Sequence, residues 1–446
     1  MKDKLLFLIN EPDIDFFHLK ALLMLMNTAD IAEAIGDIKN DKKVPLFRLL
    51  QKNIAADVFS YLETEEQRLI IENLADNEVG QIINNLFADD AVDFIEEMPA
   101  NVVKRVLQTA TPEKRAVINQ LLQYPDFSAG SIMTTEFIDL LDDATVSEAF
   151  DDIRRNGANI ENIYTCFVIR RSRLLVGTVS VKDLLLSQSD EYISNIMESH
   201  VIFARTDADQ EKIAGMFKKY GLLSLPVVDN EQRLVGIITV DDIVQVIEDE
   251  ATEDLEKMHA LAPSEDPYFK TSILRLARNR IVWLLALMLS AAITGTIITG
   301  FEEAIAILPV LVAFIPMLMD TGGNAGAQSS TLIIRGMALG EIEIKNLLQV
   351  LWKEIRVAVL CGLVLCLVNM VRIYLMNGRD IMLSVSVTIA LFGTILMAKI
   401  TGCLLPMIAK TIKIDPAVMA TPIITTIVDA ASLVIYFSIA KMFFGI

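Results

Sequence analysis

Apolar and polar positions follow three different rhythms along the 446 residues of the chain. From residue 1 to about 127, apolar side chains recur at i, i+3 and i+4, as in Leu46-FRLLQ, Val58-FSYL, Leu69-IIENL, Val79-GQIINNLF, Ala91-VDFIEEM and Val102-VKRVLQTA. That spacing gathers them on one face of a helix. Thr64-EEQ, Thr111-PEK and Pro99 punctuate the run as helix-start signals. A weak repeat at an offset of 36 lays Asp57-VFSYL over Asp93-FIEEM and Arg68-LIIENL over Lys104-RVLQTA. Helix pairs recurring at this period predict a small, solenoid-like helical domain over 1–127. Its acidic knot is Asp89, Asp90, Asp93, Glu96 and Glu97, where like charges on one helix flank repel unless solvent or a cation takes them up.

From Ser128 the rhythm becomes Val/Ile strands alternating with helices, and one unit occurs twice, over 128–190 and 191–250. Met133 of the first copy aligns with Met197 of the second, and Gly177-TVSVKD aligns with Gly236-IITVDD. A glycine, a short strand, Ser or Thr, and an Asp opening a helix together resemble a pair of CBS modules. The resemblance implies an α/β fold for each copy. It also implies a cleft for ATP or another adenine nucleotide, with Ser180, Asp183, Thr239 and Asp242 on the ribose. A hydroxyl and a carboxylate at a strand-to-helix turn equally suit a helix cap, so both readings stand here.

Residues 251–280 form an acidic connecting helix and its exit. Glu248, Asp249, Glu250, Glu253, Asp254 and Glu256 crowd nine residues, with Lys257 the one base nearby, and Pro263 and Pro267 follow. Lys270, Arg275, Arg278 and Arg280 then mark a membrane edge. Over 281–446 the third rhythm takes over: apolar stretches at about 281–299, 304–334, 351–374, 381–408 and 416–440. Each approaches or exceeds the roughly 20 residues a bilayer requires, which predicts a polytopic α-helical domain of five spans. Arg335, Lys345, Lys353, Arg356, Lys399, Lys410 and Lys413 fall on the side of the amino terminus, against Arg372, Arg379 and Lys441 on the other. The positive-inside rule therefore puts residues 1–265 in the cytoplasm and the carboxyl terminus outside.

Two spans carry chemistry. Between Pro416 and Ala440, Asp429 is the only ionisable side chain apart from Tyr436. A carboxylate at mid-depth costs at least about 2.5 kcal/mol, so it faces a partner, water or an ion. It is either a neutral acid satisfied by a helix neighbour or a group that handles a cation or proton. Thr421, Thr425, Thr426, Ala430, Ala431 and Ser432 around it leave room for a close neighbour and a wet path. In the second span, Pro316-MLMDTGGNAGAQSSTL is too polar for a helix facing lipid. The pattern predicts an interruption at Asp320 and the glycine run, with Gly322, Gly323 and Gly326 opening the backbone or else admitting another helix closely. Asn324, Gln328, Ser329, Ser330 and Thr331 supply neutral oxygens.

Charge sharpens the picture. The chain is 53% hydrophobic yet carries a net charge of −19. Residues 1–265 hold 25 Lys and Arg against 48 Asp and Glu. So acidic a surface repels nucleic acid and anionic lipid and attracts cations. The stretch Leu5-LFLI is too short for a signal peptide, in keeping with a cytoplasmic amino-terminal part. No CxxC, HExxH, nucleophile–base pair or phosphate loop points to zinc, redox or enzymatic chemistry. One carboxylate amid neutral oxygens suits a hard cation that keeps most of its water, as Mg²⁺ does.

The run G-G-N-A-G-A-Q-S after a proline, and the terminal Asp415-PAVMATPIITTIVDAASLVIYF, resemble the MgtE family of magnesium channels, and the order of domains resembles it too. The resemblance implies a homodimer in the cell (inner) membrane, with an Mg²⁺ path at the subunit interface lined by Asp429 and Asn324. It also implies closure by cytosolic Mg²⁺ bound to Asp90, Asp93, Asp242, Glu250, Glu253 and Asp254. Gln245 stands where that pattern calls for an acid. A proton- or sodium-coupled divalent cation transporter is the alternative.

Overall fold

The computed structural model describes residues 1–10, 16–157, 160, 162–263, 268, 271–376, 380–419 and 421–445, and divides into two compact units, Met1–Ile247 and Glu248–Ile446. Lys270, Pro267 and Arg379 lie outside the described residues.

The amino-terminal unit begins with short helices whose apolar stripes meet in one core, where Ile31, Ile35, Val58, Phe59, Ile70, Ile71, Ile83 and Val106 are fully buried. Helices Lys52–Ser60 and Thr64–Asn73 recur as Ala88–Glu96 and Ala100–Thr109, each 36 positions on. The faint repeat in the sequence is therefore a repeat of helix pairs, stacked on one another as in a solenoid. Thr111 caps Pro112–Leu121 by accepting from the Lys114 amide at 3.2 Å, and Pro99 stands at the cap of Ala100–Thr109. Thr64 differs from expectation. Glu63 occupies the cap, and the Thr64 hydroxyl turns to the Glu97 carboxylate at the end of Ala88–Glu96, in the next repeat.

Two three-stranded sheets follow. Strands β1 (Phe137–Leu141), β2 (Asn162–Ile169) and β3 (Leu175–Ser180) form the first; β4 (Ala204–Arg205), β5 (Ser224–Val228) and β6 (Leu234–Thr239) form the second. In both, the first pair is parallel and the second antiparallel. The modules exchange their leading segments. Thr134, ahead of β1 in the first module, bridges Ile237 of β6, while Glu198, ahead of β4 in the second, bridges Thr178 of β3. The aligned Met and Gly positions explain each other: a Cβ on Gly236 would lie 2.6 Å from the Met133 sulfur, and one on Gly177 would lie 2.5 Å from the Met197 sulfur. Each glycine is the socket for the other module's methionine.

The second unit holds five helices long and apolar enough to cross a membrane: Ile273–Thr299, Pro309–Ala338, Ile344–Met376, Ile381–Thr411 and Pro416–Phe444. The second, fourth and fifth pack on one another and the third lies on the fourth. The first buries none of its residues, and the third exposes Leu360, Leu363, Val364, Leu367 and Val368, apolar faces that lipid accepts. The interruption of the second span is not at Asp320. An unbroken helix, Ile315–Ala338, runs through the glycine run, and the irregular part is the 3-10 turn Pro309–Phe314 before it. Pro309 and Pro316 account for the shift, because neither can donate the helical hydrogen bond. The fully buried Tyr436 hydroxyl donates to the Leu311 carbonyl at 2.9 Å, the kind of repair that irregular backbone at membrane depth demands.

The glycines of the run serve close packing. A Cβ on Gly322 would meet Thr394 at 2.7 Å and Val428 at 2.8 Å, and one on Gly326 would meet Ile424 at 2.7 Å. The closest approach is to the fourth span, where a Cβ on Gly402 would run into the Gly326 carbonyl oxygen.

Gly236→Ala and Gly177→Ala should both destabilise the paired modules, and unequally. At Gly177 only the flexible Met197 side chain must move, whereas at Gly236 the Thr134 carbonyl also stands 2.8 Å away. Overpacking of this kind costs about 1–3 kcal/mol, so thermal melts of the full chain should show the larger drop for Gly236→Ala.

Candidate functional site

The polar residues of the second span form a stripe. Asp320, Asn324, Gln328 and Thr331 are all exposed, while Gly322, Gly326, Ser329 and Ser330 are buried. The spacing of four, four and three keeps the stripe on one helical face. Asn324 Nδ2 donates to Asp320 Oδ1 at 3.1 Å. Beside the stripe stands Asp429 of the fifth span, half-buried; its Oδ1 lies 4.0 Å from where Gly323 would carry a Cβ. The two expected pore residues, Asp429 and Asn324, thus share a neighbourhood, with Asp320 as a third member. Asp320 was legible in the sequence as a second intramembrane acid, one helical turn before Asn324.

The hydroxyls near Asp429 are oriented by their own helix. Thr425 and Thr426 donate to the Pro422 carbonyl at 3.0 and 2.9 Å, and Ser432 donates to Val428 at 2.6 Å. Donation leaves each oxygen its lone pairs, so these hydroxyls add to the carboxylate pair and the Asn324 amide oxygen. Such a set of hard oxygens suits a hydrated hard cation, held partly through its waters.

Next to the second and fifth spans lies the end of the acidic helix Val240–Met258. Met258 packs against Ile334 and Ala417, one from each of those spans. Lys257 Nζ sits between Glu253 and Asp415, 2.7 Å from a carboxylate oxygen of each. Burial works against the Lys257 charge, but the hydrogen bonds to Asp415 and Glu253 prevail and raise its pKa. Asp254 is pushed up to about 6, first by burial and then by Asp415, with Glu250 and Glu253 adding to the rise. Of the expected regulatory acids, Glu250, Glu253 and Asp254 therefore lie in one field with Asp415 and with Lys257 as counter-charge. The sequence showed Lys257 only as a lone base and gave no sign of the Asp415 contact.

Asp90, Asp93 and Asp242 form the other group. Burial, then repulsion from Asp242, pushes Asp90 up to about 7; Asp241 and Asp57 add to this and Lys114 opposes it. Asp93 keeps an open side to solvent, but the protein crowding it, then Asp90, Asp242, Glu96 and Glu97, push it up to about 7 as well. Asp242 is raised too, by burial first, although the Thr239 hydroxyl donates to it at 2.6 Å. Three carboxylates that resist ionisation together are suited to a cation. Among the described residues, however, no three His, Cys, Asp or Glu side chains are gathered tightly enough to hold one metal ion directly. Water must complete any such site. Gln245, on the same helix as Asp242, is exposed.

The two hydroxyl–carboxylate pairs of the modules are built alike. Ser180 Oγ donates to Asp183 Oδ2 at 2.5 Å, and the Asp183 amide donates back to Ser180 at 3.1 Å. Thr239 is buried at 2% exposure, whereas Ser180 and Asp183 are more open. The first pair caps its helix and keeps polar atoms accessible.

Known proteins resemble the chain along nearly its whole length. Residues 315–439 match the MgtE family, described as a divalent cation transporter; residues 26–126 match the MgtE intracellular N domain; residues 129–190 and 193–249 match the CBS domain. The magnesium transporter MgtE of Thermus thermophilus is 33% identical over 99% of this chain and 99% of its own. That of Bacillus subtilis is 31% identical over 93% and 91%. These relatives are named as transporters rather than enzymes. Among solved structures, the soluble part of a magnesium transporter superposes with a TM-score of 0.53 at 27% identity, covering 56% of this chain and 100% of that one. The cytosolic domain of the Mg²⁺ channel MgtE in complex with ATP gives a TM-score of 0.50 at 32% identity, covering 52% and 95%.

The raised carboxylates set a pH dependence. Asp90 and Asp93 rise from 3.8 to about 7, so between those values the folded protein holds more protons than the unfolded chain, and its stability falls as pH rises. In buffer free of divalent cations, the melting temperature should fall between about pH 5 and pH 8, and the Asp90→Asn/Asp93→Asn variant should show a flatter slope over that window. Equal slopes in the two proteins would remove this pair as the source.

Proposed function

This chain belongs to the MgtE family of magnesium transporters, and on that premise we propose that it is an Mg²⁺ channel whose path is lined by Asp429, Asp320 and Asn324. The exposed polar stripe of the second span carries this reading. Asp320, Asn324, Gln328 and Thr331 stand open on a helix of mean hydropathy 1.2, at a depth where lipid cannot satisfy them. A second copy of the chain, facing the stripe across a two-fold axis, would enclose a polar path with a pair of each carboxylate. Mg²⁺ sheds its water reluctantly and needs only one or two carboxylates, with amide and water oxygens filling the rest of its octahedron.

The chain sits with residues 1–265 in the cytoplasm and its carboxyl terminus outside. Mg²⁺ enters down its gradient, the membrane potential contributing about 4.6 kcal/mol per 100 mV for a double charge. Cytosolic Mg²⁺ then closes the path. It offsets repulsion within the Asp90, Asp93 and Asp242 group and within the Glu250, Glu253 and Asp254 group. Through differential affinity it favours the closed state. Support comes from the last turn of the acidic helix, where Lys257 and Met258 engage the cytosolic ends of both proposed pore spans. A relative's cytosolic domain binds ATP. We extend adenine-nucleotide binding to this chain at Ser180, Asp183, Thr239 and Asp242, the first pair being the more open.

Mg²⁺ uptake into proteoliposomes tests the reading. Asp429→Ala should abolish uptake, and Asp320→Asn should lower it about tenfold or more, the scale of a lost charge-assisted contact. Neutralising Glu250, Glu253 and Asp254 together should leave uptake running at cytosolic Mg²⁺ concentrations that silence the wild type. Uptake that requires a proton or sodium gradient, beyond its voltage component, would favour a coupled transporter instead.

A further inference from the structure

The second span is gripped from behind by buried charges that the proposed path does not use. Lys399 of the fourth span is 5% exposed, Glu354 of the third is 8% exposed, and Ser329 of the second is fully buried between them. Ser329 Oγ donates to Glu354 Oε2 at 2.6 Å and accepts from Lys399 Nζ at 3.1 Å. Lys399 Nζ also donates to the Ala325 carbonyl at 3.4 Å. The positive-inside reading had counted Lys399 on the side of the amino terminus; within the helix Ile381–Thr411 its side chain is buried among the neighbouring spans.

An ionisable pair inside a membrane domain is costly, and its retention asks for a function. The geometry supplies one. At about 100° per residue, the nine positions from Asp320 to Ser329 set the two on opposite sides of the helix. The face packed on the fourth and fifth spans is smooth, made of Gly322, Gly326 and their partners. Smooth helix surfaces fix distance well and rotation poorly, whereas hydrogen bonds are directional. Among the described residues, the side-chain hydrogen bonds of Lys399 and Glu354 end on the second span, at Ser329 and Ala325.

We propose that Lys399, Ser329 and Glu354 form a positioning relay that fixes the rotation of the second span and thereby aims Asp320 and Asn324 at the ion path. The relay rests on the reading of the polar stripe as a wall of that path. Lys399 and Glu354 are positioning residues and touch no transported ion. Ser329→Ala breaks the relay without altering charge or adding volume. Lys399→Met breaks it and leaves Glu354 without its counter-charge.

Rotation is read by thiol accessibility in the full-length protein in membranes. The exposed Cys361 is first replaced by Ala; Cys166, Cys366 and Cys403 are buried. Thr331→Cys, on the stripe, then reports with a membrane-impermeant thiol reagent, alongside Mg²⁺ uptake. We expect ready labelling in the parent background, slower labelling when Ser329→Ala or Lys399→Met is added, and uptake reduced about tenfold or more by Lys399→Met, where a buried charge is stranded. Lys399→Arg should restore part of both readouts. Unchanged labelling in the Ser329→Ala background would overturn the relay while leaving the path intact. Failure of Thr331→Cys to label even in the parent would overturn the path reading itself, and the relay with it. Should Lys399→Met not fold, the neutral Ser329→Ala still decides.

Discussion

A carboxylate surrounded by hydrocarbon must have an ion, water or a polar partner within reach, and that requirement organises the membrane unit. Asp429 is the one acid of the fifth span, and its neighbours are arranged to serve it. Gly323 lets the second span come close enough to bring Asp320 and Asn324 alongside. The hydroxyls of Thr425, Thr426 and Ser432 are tied by donation to their own helix backbone, which fixes where their oxygens stand. The irregular turn before the second span is closed by Tyr436 from the fifth.

The same economy appears at the two acidic groups outside the spans. Asp90, Asp93 and Asp242 are brought together without an internal cation sufficient to balance them, Lys114 alone opposing the rise of Asp90. Around Asp254, a single ammonium, Lys257, answers the crowded acids. A protein that leaves carboxylates under-compensated in its folded state makes its own stability depend on ions from outside. That dependence is the physical basis of the closure proposed above.

Much of the architecture was legible in the sequence because it rests on periodicity. The offset of 36 between Asp57 and Asp93 became a repeat of helix pairs, and the Met and Gly landmarks became reciprocal sockets. The five apolar stretches became five long helices. Departures arose where tertiary partners decide. The glycine run suggested an opened backbone, but those positions lie against Thr394, Val428 and Ile424, so the helix continues and the prolines ahead of it take the irregularity. Lys399 entered only the count of basic residues, because spacing alone cannot show Ser329 and Ala325 waiting for it. Glu354 carries no motif of its own, and the Lys257–Asp415 contact joins residues 158 apart. Asp320 was visible, yet read as a break rather than as a neighbour of Asp429.

The central claim is that the polar stripe of the second span faces its counterpart in a second copy of the chain. Oxidative cross-linking in membranes tests it most directly, with Cys361→Ala as background and cysteine placed singly at Gln328 on the stripe or Leu363 on the exposed apolar face of the third span. The account predicts a rapid disulfide-linked dimer for Gln328→Cys and none for Leu363→Cys. A dimer through position 363 and none through 328 would turn the stripe away from the partner and contradict the shared path.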